Sequence, residues 1–353
     1  MGLSFSRAYS SLSEFNLRSG LSDSWAHTFS PYLTGSVDGN GNLTTSSDLI
    51  YLDDKGHYDV LDYRGSGQPY RALNASATQL LAVAGTQAEK WTLIRSGGLE
   101  LGFDATGRLI RYDTGRDEFA LTYCTAADVA ASSCAVQGAL YQAVHQSGRA
   151  LTFEHAEIEV PIPGGQGATT LQTVLLQVRS DQRVEVQYGF DALGRLASVQ
   201  YGDQPSDPVR SYFYAEPSHM CRLYNGAAEA DCDANERAAL FTHHLTGIED
   251  ERGVRFADYQ YDKRGRVTHS SHDGQGLVTL QYGTPTNPND DTVVWVSMPN
   301  GARRRYAFAA DQFRHLVNTE IWADGSLAAN ITHNYTSSGL RDHTIDAKGN
   351  RTN

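Results

Sequence analysis

Along much of the chain, apolar and polar positions alternate with a period of two. LQTVLLQVRS (171–180), RVEVQYGF (183–190), LVTLQY (277–282) and TVVWVSM (292–298) are short, rich in β-branched and aromatic residues, and bounded by turn residues. Side chains of an extended strand point alternately to its two faces, so each run predicts a strand. VPIPGGQGATT, GDQPSDP and GTPTNPNDD predict loops between them. A helical period shows only in ANERAAL (234–240), which predicts one short helix inside the second cysteine insertion. The expectation is an all-β chain with one or two helical turns.

One punctuation mark recurs between strands. FDATGRL (103–109), FDALGRL (190–196) and YDKRGRV (261–267) share the form aromatic, Asp, two free positions, Gly, Arg, aliphatic. In each, the aspartate (Asp104, Asp191, Asp262) suits a type I turn, where its carboxylate accepts from backbone N–H groups two or three residues on. The glycine (Gly107, Gly194, Gly265) suits the positive φ at which the chain leaves such a turn through a bulge. The aromatics Phe103, Phe190 and Tyr261 end one strand, and Arg108, Arg195 and Arg266 begin the next. Tyr259 and Tyr261 share one face of their strand. Looser copies stand at Asp53/Gly56, Asp250/Gly253, Thr336/Gly339 and Asp346/Gly349, and His145 takes the aspartate position before Gly148 and Arg149. Close corners read as successive turns of one meander and wide gaps as insertions. Repetition of a hairpin unit predicts an extended, curved antiparallel sheet of repeated β-hairpins.

At 353 residues the chain exceeds a comfortable single core. The reading divides it into an amino-terminal β module (1–123) and a hairpin array (124–353). Mean hydropathy is −0.44, with 19 Tyr and 33 Gly, a mixture that suits strands and turns. A net charge of −12 disfavours nucleic acid and anionic membranes as partners. No apolar run reaches 18 residues, so no membrane-spanning helix is expected. MGLSFSRAYSS lacks the pattern of a signal peptide, and DAKGNRTN stops within a repeat, which favours a piece of something longer. A single sheet without a second layer cannot bury a dry aliphatic face, and tyrosine tolerates that position. Arg108, Arg195 and Arg266 either stack on rings of adjacent strands, for roughly 0.5–1 kcal/mol each, or merely solvate their turns. Truncated sheet edges predict self-association of the isolated chain at high concentration.

The four cysteines form two local pairs, Cys124 with Cys134 and Cys221 with Cys232, in segments that read as loops (CTAADVAASSC and CRLYNGAAEADC). Disulfides closing such loops stabilise by roughly 2–3 kcal/mol and imply an oxidising compartment; four ordinary thiols are the alternative.

These residues resemble the RHS, or YD-repeat, family. GVRFADYQYDKRGRVTHSSHDG (253–274) looks like a full repeat, and PNGARRRYAF (299–308) like a half repeat. LSFSRAYSS, GLSDSWAHTF and WTLI with GFDATGRL follow the order of the module that opens bacterial RHS shells. There the second motif usually reads G-L-G-x-G-W-x-x-S-F, from which this chain departs around Asp23 and Ser24. The resemblance covers nearly the whole chain outside the cysteine insertions. It implies part of a hollow shell that encloses or carries a C-terminal polymorphic toxin in interbacterial competition. The implied partners are the rest of the shell, the toxin and a secretion apparatus. The implied location is secreted, translocated or cell-surface. An adhesion or carbohydrate-binding module, with glycans as partner, is the alternative.

Other chemistry reads weakly. DGNGN (38–42) begins like a calcium loop, but Leu43 and Leu49 stand where glycine and the closing glutamate belong, so an Asn-Gly hairpin turn fits better. His269, His272 and Asp273 do not share a strand face, and adjacent His243 and His244 point to opposite faces of an expected strand. GGQG (164–167) lacks the helix and lysine of a phosphate cradle. Sequons begin at Asn42, Asn74, Asn330 and Asn334. Dispersed carboxylates allow a glycosidase without selecting a pair. The expectation is no enzyme, no cofactor and no metal.

Overall fold

A computed structural model describes residues 5–11, 18–73, 78–83, 88–95, 97–162, 167–180, 183–272, 274–283, 292–310, 315–336 and 341–352. Asn74, Gly164–Gln166, Asp273 and Gly339 of the sequence reading lie outside them. Strands make up nearly all regular structure. Among the described residues the only α-helices are Ala126–Ala130 and Ala234–Leu240. Twenty-five strands belong to one antiparallel sheet in chain order, and no ladder among the described residues joins its last strand to its first. Arg7–Tyr9 and Trp25–His27 pair separately. The strands expected at 183–190 and the helix expected at 234–240 fall at Arg183–Phe190 and Ala234–Leu240. That helix lies beyond Cys232, not between the cysteines.

The chain divides into two compact units, 1–209 and 210–353. In the first, Leu33, Leu49, Leu61, Leu80, Leu93 and Leu101 are fully buried. A dry aliphatic face therefore exists, against the expectation of a sheet lined by tyrosine. A second layer makes it possible. The segment 19–30 is buried almost throughout and lies against the long hairpin Ala150–Pro161/Thr169–Ser180. The Leu175 N–H donates to the Gly20 carbonyl at 2.7 Å, and Phe29 packs on Phe119 and Phe153 with centroids 5.1 and 6.0 Å away. The segment reads as polar because it is rich in Ser and Thr, yet the hydroxyls of Ser19, Thr28 and Ser30 bond backbone carbonyls. Only Ser22 Oγ among the described residues of this segment is buried without a partner. Ser19 Oγ donates to the Trp25 carbonyl, and Ser30 Oγ accepts from the His27 N–H at 2.9 Å. A hydroxyl bonded to nearby backbone can be buried at little cost.

In the second unit, apolar burial concentrates at one place. Met220, Ala238 and Tyr261 form a cluster joined by Phe241, Tyr259 and Val267, so the residues flanking the second cysteine pair, with the helix Ala234–Leu240, cover the strand Arg255–Tyr261. Beyond Tyr261, Val293 is the only buried apolar side chain among the described residues.

Two local readings need correction. The first cysteine segment is not all loop: Ala126–Ala130 is helical because Thr125 and Asp128 form a reciprocal capping box. His243 and His244 stand in a turn before the strand Leu245–Glu249, not in a strand. DGNGN turns a hairpin closed by the Val37↔Leu43 bridge, with Gly41 at positive φ, and shares the corner geometry described below.

Candidate functional site: the docked corners

The three full-motif corners share one geometry. Asp104 Oδ1 accepts from the N–H groups of Thr106 (2.9 Å) and Arg108 (3.0 Å). Asp191 does so with Leu193 and Arg195 (2.9 and 3.0 Å), and Asp262 with Arg264 and Arg266 (both 2.9 Å). The amides held are thus two and four residues on, where two or three were expected. The other carboxylate oxygen accepts both Nε–H and Nη2–H of the arginine four residues on, at 2.7–2.8 Å in all three corners. This Asp–Arg chelate, unforeseen from sequence, explains why arginine follows the glycine. Burial raises the Asp104 pKa, but the amide and guanidinium donors outweigh it and hold the group below its ordinary value. A register shift marks the bulge beside each corner.

The looser corners keep the carboxylate-to-amide bonds. Asp38 accepts from Asn40 and Asn42, Asp53 from Lys55 and His57, Asp250 from Arg252 and Val254, and Asp346 from Lys348 and Asn350. At 38 and 346 an asparagine side chain replaces the arginine, its amide donating to the free carboxylate oxygen.

What separates the strict copies is docking. The Gly107 carbonyl accepts from the Leu33 N–H at 2.9 Å, Gly194 from Gln172 Nε2 at 3.0 Å, and Gly265 from His244 Nε2 at 2.9 Å. All three glycines have positive φ, +84°, +73° and +75°. A Cβ on Gly107 would run into the Leu33 carbonyl, on Gly194 into Gln172 and Val160, and on Gly265 into His244 and Phe241. Around Gly41, Gly148, Gly253 and Gly349 a Cβ would meet nothing within 4 Å. The corner at 104–108 also bonds the free edge of the strand Tyr32–Gly35, through Tyr32 and Arg108, and so covers an exposed edge.

Tyrosine has a backbone role that composition did not show. In four hairpins the hydroxyl of a strand-ending tyrosine donates to the carbonyl at the start of the preceding strand. These are Tyr123 to Leu109 (2.7 Å), Tyr261 to Leu245 (2.5 Å), Tyr282 to Val267 (2.9 Å) and Tyr335 to Leu316 (2.8 Å). In each case the ladder's last register pair lies two residues inside the carbonyl and three inside the tyrosine: Arg111↔Ala120, Gly247↔Asp258, His269↔Thr279 and Asn318↔Thr332. The hydroxyl thus satisfies a carbonyl just past the end of pairing. Two of these rings carry the corner arginine, Arg108 over Tyr123 at 4.9 Å and Arg266 over Tyr282 at 4.1 Å.

A further polar cluster ties the segment just before Cys221 to the strand Arg255–Tyr261. Arg255 donates to Glu216 (3.0 and 2.6 Å) and to Asp258 (3.1 Å), while His219 Nε2 lies 2.8 Å from the same Asp258 oxygen and Ser218 Oγ 2.9 Å from His219 Nδ1. The His219 hydrogen bond lowers the Asp258 pKa. Cys124 is disulfide-bonded to Cys134 and Cys221 to Cys232, with Cα atoms 6.2 and 5.7 Å apart. His269 is buried, and His272 is exposed against the Phe256 ring. Among the described residues no group of three His, Cys, Asp or Glu is placed to hold a metal, and no helix is long and apolar enough to cross a membrane.

No family model and no curated protein matches this chain. Solved structures of toxin complexes do match. A TcdB2–TccC3–Cdc42 complex is 11% identical over 85% of this chain and 16% of that one, with a TM-score of 0.33. The Tc holotoxin pore of Photorhabdus luminescens is 12% identical over 91% of this chain and 18% of that one, also at 0.33. The chain therefore spans under a fifth of the length of these neighbours, and at such scores the likeness carries no further argument.

Proposed function

We propose that this chain is a non-catalytic wall segment of an RHS/YD-repeat shell. The full shell encloses or carries a C-terminal polymorphic toxin for delivery in interbacterial competition. The reading rests on one observation: the corner chemistry repeats, with aspartate, glycine and arginine all consumed in turning and docking the chain. A residue engaged in an Asp–Arg chelate and two amide bonds is set up for architecture. The partners are the remainder of the shell, the enclosed toxin and a secretion apparatus, and the location is secreted, translocated or cell-surface.

The test is protease protection in the full-length parent protein. Trypsin should leave the region after the repeats uncut in the intact protein and cut it promptly when that region is made alone. Equal cleavage in both would overturn enclosure. A second reading, a carbohydrate-binding module, is favoured by Trp295 and Trp322, whose rings lie 5.8 Å apart with the Arg303 guanidinium 4.7 Å above Trp295. Glycan-array binding lost on Trp322→Ala would support it.

A further inference from the structure

The corner at 145–149 follows the repeated geometry with a histidine in the aspartate position. His145 N–H donates to the Arg149 carbonyl, and Gly148 N–H to the His145 carbonyl, both at 2.8 Å. The carboxylate is replaced by imidazole Nδ1, which lies 3.1 Å from the Ser147 N and 2.7 Å from Ser147 Oγ. A backbone N–H can only donate, so Nδ1 must present its lone pair, and the neutral ring carries its proton on Nε2. Nε2 points at Asp117 Oδ1, 3.2 Å away on the facing strand's turn. The same wiring recurs at His27, whose Nδ1 accepts from the Phe29 N–H at 3.1 Å. His27 is fully buried in the core, whereas the 145–149 corner lies at the surface.

We propose that His145 makes this corner an acid-released joint in the array. Adding a proton to Nδ1 removes the lone pair, and the Ser147 amide loses its acceptor. The imidazolium keeps Asp117 across the hairpin, and its new Nδ1–H can donate to Ser147 Oγ, but neither bond holds the Ser147 amide. The charged groups around it are Asp117, with Arg116 and Glu118 on the facing turn and strand and Arg149 on the returning strand. Of these, Asp117 touches the ring and gains from the change. Protonation therefore loosens the turn while tightening the link between its neighbouring strands. Corners built on aspartate use a carboxylate acceptor, whose ordinary titration lies well below that of histidine. This inference rests on the corner geometry and is independent of the proposed shell role.

The test is NMR and amide exchange on the whole chain between about pH 8 and about pH 5, the interval in which histidine charge changes. At the upper pH the His145 nitrogen shifts should report the Nε2–H tautomer. On acidification, Ser147 amide protection, corrected for intrinsic exchange, should fall about fivefold, the effect of losing one net hydrogen bond. The amides of Thr106 and Arg264, held by Asp104 and Asp262, serve as references and should not change. His145→Asn supplies an acceptor that does not titrate and should abolish the dependence. An Nδ1–H tautomer at the upper pH, or unchanged Ser147 protection while the ring titrates, would overturn the proposal. So would an equal fall in His145→Asn.

Discussion

The two units are built from the same hairpins and corners but stabilise them differently. In the first, a buried amino-terminal segment lies over the sheet, and leucines reach zero exposure. In the second, the segment around the second cysteine pair covers one strand, and past Tyr261 the only buried apolar side chain among the described residues is Val293. Corner chemistry alone therefore suffices to order a strand meander locally, but a dry core needs a second layer. The single-layer stretch depends more on hydrogen-bonded closures, such as the tyrosine hydroxyls, and less on apolar burial.

The sharpest way to break this contrast is to remove an equivalent ring from each unit. Phe29→Ala should cost about 3–5 kcal/mol, as expected for a fully packed aromatic. Phe308→Ala, half-exposed in the second unit, should cost less than about 1.5 kcal/mol. Urea unfolding followed by hydrogen exchange in each unit reads both. Similar losses would erase the distinction.

Acid should act next most strongly, and on the first unit. Burial lowers the pKa of His27 from 6.5 to about 3, with neighbouring His155 adding to it, and burial lowers His155 to about 4. Both are neutral in the native state near pH 7. Below pH 6.5 the unfolded chain takes up protons that the folded chain refuses, so stability falls as pH drops. The fall should approach about 1.4 kcal/mol per pH unit for each histidine and level off once each folded group titrates, near pH 4 and 3. His27→Gln should roughly halve the slope seen in denaturation at pH 6 and 5.

Docked and solvated corners can be separated by a methyl group. Gly107→Ala should cost about 2–4 kcal/mol, because positive φ is compounded by the Leu33 carbonyl. Gly349→Ala meets open space and should cost only the φ strain, about 1 kcal/mol. Thermal melts of both variants decide it, and equal costs would deny docking any role. Tyr261→Phe removes a buried hydrogen bond to the Leu245 carbonyl and should cost about 1–2 kcal/mol, against under about 1 for Tyr335→Phe in the open sheet. The smallest effect should be a gain. Ser22 holds φ +89°, where glycine is unstrained, so Ser22→Gly should raise stability by about 1 kcal/mol.

Much of the fold was legible because its signals are local. A period of two placed strands such as Arg183–Phe190, and Asp104-x-x-Gly107 announced a corner through backbone chemistry that needs no distant partner. The candidate site was legible only in part. Aspartate and glycine could be assigned their turn roles, but the arginine's chelate was missed, since its alternatives were stacking or solvation. His244 was misplaced on a strand because adjacent residues carry no sign of what they touch. The buried segment 19–30 escaped because serine and threonine look polar until their hydroxyl partners are known.

The sequence by itself determined where the chain turns and which faces of its strands are more apolar, since both follow from φ preference and side-chain alternation. Only the tertiary structure decided which corners are docked, which tyrosines close a ladder, and which unit receives a second layer. Those outcomes depend on residues far apart in the chain, Leu33 against Gly107 or Gly20 against Leu175, whose meeting leaves no local pattern to read.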